Sequence, residues 1–240
     1  MKKPLQTRID ELNKGQVEAM NLMEALAIDF PILLSNTMPD VKTLPLPEKC
    51  GITHKMRLIA TDIYNQKGLE AFSFMAEHPS DTLRGLSCYL LAQSPLSLTE
   101  KLGLIAPLAD DANSGVREWA WIALRPALIQ NLDIGLAFLE GWVHHPSPRK
   151  RRYASEMTRP RGVWCPHITQ LRQTPWLALN ILTPLNQDKE RYVQLSVGNW
   201  LNDAGKDHPL WVKNLCEEWQ NIALTPETFK ICKRALRNLQ

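Results

Sequence analysis

Apolar residues along this chain recur mostly at helical spacing, and polar turns separate the helical stretches. Between residues 7 and 34, Leu12, Val17, Met20, Met23, Leu26 and Ile28 fall near every third or fourth position. That is the period of an amphipathic helix, and it predicts a helix over 7–34. Residues 36–50 interrupt the pattern with three prolines, which predicts an irregular connection. Helical patterning resumes near Thr53 and continues in short segments, with apolar helices over 131–143 and 210–223. Most prolines fall at helix starts or just past helix ends, where a missing N–H does least harm. No alternating run with an Asn-Gly or Asp-Gly turn occurs, so the expected fold is all α.

The helical segments repeat. Val116-Arg117-Glu118-Trp119-Ala120 aligns with Lys150-Arg151-Arg152-Tyr153-Ala154 at an offset of 34, and Arg125-Pro126 then coincides with Arg159-Pro160. An earlier copy begins at Leu83-Arg84, and a weaker later one is Val193-Gln194-Leu195-Ser196-Val197. Each follows a polar turn: His78-Pro79-Ser80-Asp81, Asp111-Ala112-Asn113-Ser114, His145-Pro146-Ser147-Pro148 and Asn186-Gln187-Asp188. Such a period is HEAT-like, and stacked helix pairs bury a shared core and leave a concave face. The expected architecture is an α-solenoid with a concave basic groove, a single domain over 1–240. Residues 1–50 would form an N-terminal helical cap and Pro-rich connection, and 51–240 the repeats.

Composition sharpens the picture in three places. All eight tryptophans lie between Trp119 and Trp219, which points to the C-terminal two thirds for function. The five cysteines are scattered with no CxxC pair. The histidines likewise lack ligand spacing, so no metal is expected. No glycine-rich phosphate loop occurs, and no cofactor is expected. No apolar segment follows Met-Lys-Lys-Pro-Leu-Gln-Thr-Arg, and no run reaches membrane-spanning length. The expectation is a cytoplasmic monomer that reaches the nucleoid through DNA, with no membrane and no obligatory protein partner. Net charge is only +3, so its distribution matters more. Arg149, Lys150, Arg151, Arg152, Arg159 and Arg161 fall within thirteen positions around the single acid Glu156, and Trp164 follows. Cations at a helix start oppose the macrodipole, a placement that a bound anion relieves.

Two blocks carry a family resemblance. Ala154-Ser155-Glu156-x-Thr158-Arg159-Pro160-Arg161-x-x-Trp164 is the first, and Asn199-Trp200-Leu201-Asn202-Asp203-x-x-Lys206-Asp207-His208-Pro209 the second. In this order they resemble the AlkC/AlkD superfamily of HEAT-like-repeat DNA glycosylases, AlkC most of all, over roughly residues 70 to 225. Two departures stand out. AlkC proteins commonly carry a Glu four residues before the first Arg-Pro, where this chain has Trp121; Glu118 lies one helical turn away. Many also carry a C-terminal immunoglobulin-like domain, and none is expected in these 240 residues.

The resemblance implies hydrolysis of the N-glycosidic bond of cationic alkylpurines in duplex DNA, 3-methyladenine first and 7-methylguanine as a second candidate, without full flipping of the base. A cationic base leaves readily, and positive charge develops on the deoxyribose. The useful groups are then a preorganised carboxylate and aromatic faces. Glu156 is the first catalytic candidate and Asp203 the second, with Glu118 the third. The competing reading of Glu156 is an i,i+3 or i,i+4 ion pair, and that of Asp203 a cap. Trp164, Trp121 and Trp200 are candidate contacts to the lesion or sugar, with core packing the alternative for Trp121 and Trp200. Arg149, Lys150, Arg151, Arg152, Arg159, Arg161, Arg125 and Lys206 are candidate DNA contacts, whereas Arg84 and Arg117 are expected to join repeats. Two other readings remain open: a non-catalytic HEAT-like protein that binds damaged or branched DNA, and a HEAT adaptor for proteins.

Overall fold

The computed structural model describes residues 5–47 and 49–239. Part of the N-terminal stretch read above and one residue of the Pro-rich connection lie outside them. The described residues form helices and turns with no strand. By packing the chain divides into two compact units, Met1–Leu124 and Arg125–Gln240, and each is described by itself.

The first unit opens with three short helices, α1 (Gln6–Asn13), α2 (Leu22–Ala27) and α3 (Phe30–Thr37), instead of the continuous helix that periodicity predicts. Gly15 closes the turn after α1: its φ of 71° is left-handed, and a Cβ there would stand 2.5 Å from Thr37 Cγ2. The Asn21 side chain then accepts the Met23 and Glu24 N–H groups and restarts a helix. Asp29 does the same for Ile32, with Pro31 in the first turn. Caps and a left-handed glycine outweigh the apolar period, and Met20 and Leu26 end up exposed. The proline-rich connection is irregular as expected. It is strapped to α4 (Ile52–Lys67) by Lys42 N–H to Gln66 Oε1 at 2.9 Å and Leu44 N–H to Asp62 Oδ2 at 2.8 Å.

Beyond α4 come α5 (Ala71–Ala76), α6 (Asp81–Gln93), α7 (Leu98–Ala109) and α8 (Ser114–Gln130), inside which the division falls. Helix α6 is the core of the first unit, packed on α4, α5 and α7. Gly85 lets Trp119 lie directly on it, because a Cβ would meet Trp119 Cδ1 at 2.5 Å. Trp119 is therefore a packing residue. The second unit contains α9 (Leu132–Glu140), α10 (Pro148–Met157), α11 (Thr169–Gln173), α12 (Leu179–Leu182), α13 (Arg191–Gly205), α14 (Pro209–Ile222) and α15 (Pro226–Ala235). Its centre is α13, against which α10, α14 and α15 pack. Proline opens α10, α14 and α15, and Ser147 and Thr225 cap the first and last of these.

The repeat has a physical basis. Arg84 Nη1 donates to the carbonyls of His78 and Pro79 at 2.7 and 3.0 Å. Arg117 does the same to Asp111 and Ala112 at 2.6 and 2.8 Å. Arg151 repeats it on His145 and Pro146, both at 2.9 Å, and Gln194 on Asp188 and Lys189 at 2.8 and 3.3 Å. Each side chain satisfies carbonyls of the turn that precedes its own helix. Arg84 and Arg151 also reach further: Arg84 Nε bonds Asp111 at 2.8 Å, and Arg151 Nε bonds Asp188 at 2.6 Å. Both partners belong to the next turn along the chain.

Candidate functional site

Glu156 lies in the last turn of α10, Asp203 near the end of α13, and Arg159 just past α10. The packing of α10 on α13 brings the three together. Arg159 Nη1 donates to Glu156 Oε1 at 2.7 Å. Its Nε and Nη2 both reach Asp203 Oδ2, at 2.9 and 2.7 Å. One guanidinium thus joins the first two catalytic candidates, which are 4% and 5% exposed. Ser155 Oγ donates to Ser196 Oγ at 2.7 Å, and the Ser196 hydroxyl donates in turn to Glu156 Oε2 at 2.7 Å. Arg152 Nη2 stands 3.5 Å from the same oxygen, with its guanidinium 4.4 Å over the Tyr192 ring. Lys206 Nζ lies 3.3 Å from Asp203 Oδ1.

Burial alone would raise the pKa of Glu156. The charges of Arg152 and Arg159 and the hydrogen bonds from Arg159 and Ser196 outweigh that and hold it below the ordinary carboxylate range. Glu156 is therefore an anion at neutral pH inside a nearly dry site. This is the electrostatic condition for stabilising a neighbouring cation.

Trp164 sits in the loop between Arg159 and Ile168. It is 55% exposed, and its φ of 64° is left-handed, which costs a bulky residue about 1–3 kcal/mol. The surroundings enforce that conformation. Ile168 N–H closes the loop on the Pro160 carbonyl at 3.0 Å. Gly162 lies flush against it, since a Cβ would meet Cys165 Sγ at 2.3 Å. Arg125 holds the base of the loop, donating to the carbonyls of Met157 at 2.6 Å, Pro166 at 2.8 Å, and Arg159. The strain is local, and its result is an indole presented to solvent.

Several candidates have other placements. Arg125 is fully buried; its guanidinium serves backbone carbonyls rather than a phosphate. Trp200 is also fully buried, and its Nε1 donates to the Thr158 carbonyl at 3.0 Å, so it packs the α10–α13 interface. Trp121 is buried in the first unit and donates to Glu118 Oε2 at 3.0 Å. Arg151 is a repeat brace, as Arg84 is. Arg161 Nη2 is shared between both oxygens of Asp207 at 2.8 and 2.9 Å, which Arg172 also grips at 3.0 Å. Arg149 and Lys150 are half-buried in the first turn of α10, with Lys150 Nζ 5.6 Å from the Trp142 ring centre. Ser196, Asp207 and the bridging role of Arg159 are features that the residue pattern did not single out. Ser196, Trp200 and Asp203 do share one face of α13 by spacing, a signal that was available. Among the described residues no His, Cys, Asp and Glu cluster could hold a metal ion, and no helix is long and apolar enough to cross a membrane.

Fold and site together define a helical-repeat protein with an arginine-bridged carboxylate pair and an exposed indole on the loop that follows Arg159. The family model described as "DNA alkylation repair enzyme" matches residues 109–230, just over half the chain, and the chain belongs to that family. An uncharacterised protein, YhaZ of Bacillus subtilis (strain 168), is 38% identical over 117 residues, which cover 49% of this chain and 32% of that protein. The chain thus matches only about a third of that relative's length. Among solved structures, the alkylpurine DNA glycosylase AlkC of Pseudomonas fluorescens, bound to DNA containing an abasic site analog, superposes with a TM-score of 0.68. It shares 21% identity and covers 97% of this chain, which spans 62% of it. AlkD2 of Streptococcus mutans superposes with a TM-score of 0.63 at 20% identity, covering 80% of this chain and 93% of its own. The all-α helical-repeat fold is common to all three.

Proposed function

We propose that this protein is a DNA glycosylase that hydrolyses the N-glycosidic bond of cationic alkylpurines in duplex DNA. The observation that carries the reading is the meeting of Glu156 and Asp203, one from each matched block, on the Arg159 guanidinium. As the C1′–N bond breaks, its electron pair leaves with the base, which departs neutral, and positive charge passes to the sugar. The carboxylates of Glu156 and Asp203 stabilise that charge and orient the water that adds to C1′, and one of the two accepts the proton that the water gives up. Trp164 places an aromatic face beside the lesion or its sugar, and Arg149 and Lys150 contact backbone phosphates. Selectivity follows from the lesion's own charge, so neutral lesions are poor substrates. A second reading, DNA binding without excision, is favoured by one observation: the position where AlkC proteins commonly have a Glu holds buried Trp121.

The deciding experiment is release of free 3-methyladenine and 7-methylguanine from alkylated duplex DNA by wild type, E156Q and D203N. The expected result is release of 3-methyladenine by wild type and a loss of about 10²-fold or more in E156Q, with DNA affinity kept. DNA binding with no base release by wild type establishes the second reading. Wild-type excision by E156Q reduces Glu156 to an ion-pair partner.

A further inference from the structure

Helix α15 and the residues after it bring a second arrangement of charge to α13, from two arginines beyond the family-matched range. Arg234 of α15 lays its stem across Gly198, where a Cβ would stand 2.8 Å from Arg234 Cβ. Its Nε donates to Asn199 Oδ1 at 2.9 Å. Arg237 Nη2 donates to the same oxygen at 3.2 Å, and its Nη1 to the Arg234 carbonyl at 2.6 Å. Two guanidiniums therefore converge on one neutral amide oxygen, and among the described residues neither forms an ion pair with a carboxylate. Lys230 and Lys233 add exposed charge to the same helix. This differs from every other arginine pair in the second unit: Arg161 and Arg172 share the carboxylate of Asp207, and Arg152 and Arg159 share that of Glu156.

The location matters as much as the charge. Asn199 lies one helical turn before Asp203, so the arginine pair stands one turn along α13 from the candidate site. The ends of the helices are locked there: Asn202 Nδ2 donates to the Ala235 carbonyl at 2.8 Å, and Asn238 Nδ2 to Asn202 Oδ1 at 3.3 Å. We infer that Arg234 and Arg237 form a binding site for a backbone phosphate of DNA, adjoining the nucleotide that faces Asp203. Two forks held on a shared neutral acceptor keep donors for phosphate oxygens, and a phosphodiester supplies the missing counter-charge. Burial first, then the charges of Arg234 and Arg159, press the Arg237 pKa below its ordinary value against the opposing pull of Asp203. The inference deepens the glycosylase reading and rests on it for the substrate.

The test is binding to undamaged duplex DNA as a function of salt, with no base release scored. One phosphate contact contributes about 0.9 to the slope of log affinity against log salt. R234Q/R237Q should lose about that much slope and bind more weakly at low salt, whereas R234K/R237K should keep the slope. Because Arg234 also packs on Gly198, N199D is the second variant. It keeps both arginines but inserts a carboxylate between them, and should lower the slope equally. Slopes unchanged in both R234Q/R237Q and N199D overturn the site. Phosphorus NMR with inorganic phosphate separates the sources: a phosphate shift abolished by N199D, with no change in DNA slope, assigns the pair to a free anion and overturns the DNA assignment. A reduced slope without base release by wild type removes the glycosylase reading and leaves this site. Intact base release with unchanged slopes does the reverse.

Discussion

Arg159 answers to two buried carboxylates at once, and removing it leaves Glu156 to Arg152 and Asp203 to Lys206. R159Q should therefore destabilise the second unit by about 3–5 kcal/mol, the cost of breaking a buried ion pair from one side. Adding D203N to R159Q should recover part of the loss, and urea unfolding of the single and double variants measures both. Equal midpoints for wild type and R159Q would mean that the acids find water or other partners. The acids themselves were legible in the sequence, because each stands in a block rich in charged and aromatic residues. Their shared partner was not. Arg159 and Asp203 are 44 positions apart, and nothing local in either block encodes that meeting. The same blindness led Arg151 and Arg161 to be expected on phosphates, since the sequence shows a cation but not the carboxylate that claims it.

At the scale of elements, the turn-and-arginine unit makes the repeat more than a periodic resemblance. Arg151 donates to two carbonyls of its own turn and to a carboxylate of the next. R151A should then cost about 2–3 kcal/mol, the range of charge-assisted hydrogen bonds. R151K should restore little, because an ammonium cannot reproduce the fork. A residue serving only phosphate would leave the denaturant midpoint where it is. The helical period and the repeat register were readable, and the alignment of Arg117 with Arg151 already carried the hint of a shared role. What periodicity misread was the stretch 7–34. There Gly15, Asn21 and Asp29 cut a continuous apolar pattern into α1, α2 and α3, and two apolar side chains of the pattern stay in water. Backbone signals of a single residue decided the outcome against a pattern spread over many.

Across the whole molecule, acid should act unequally on the two units. Asp207 is held below the usual carboxylate range by its hydrogen bond to Arg172, aided by Arg161, and Glu156 by the cations that outweigh its burial. A depressed carboxyl contributes stability above its unfolded pKa, about 4, and loses it as pH falls through the lower folded value. In the first unit, burial would raise Glu18, but hydrogen bonds from Arg84 and Asn113 bring it down. Asp81 there is pushed up by burial despite the Ala19 N–H, so its protonation favours the folded state and offsets part of the loss. Hydrogen exchange, corrected for intrinsic rates, should show protection in α10 and α13 falling before that in α6 as pH is lowered below about 4. Earlier loss in α6 would mean that the Arg159 cluster does not govern the acid response.

The braces also bear on how such a chain is inherited. Arg84 and Arg151 each hold a carboxylate of the next turn along the chain, Asp111 and Asp188. A joint whose arginine belongs to one repeat and whose carboxylate belongs to the next survives gene duplication only when both are copied together. A unit of descent that preserves such a joint carries both of its halves, the arginine and the turn that follows.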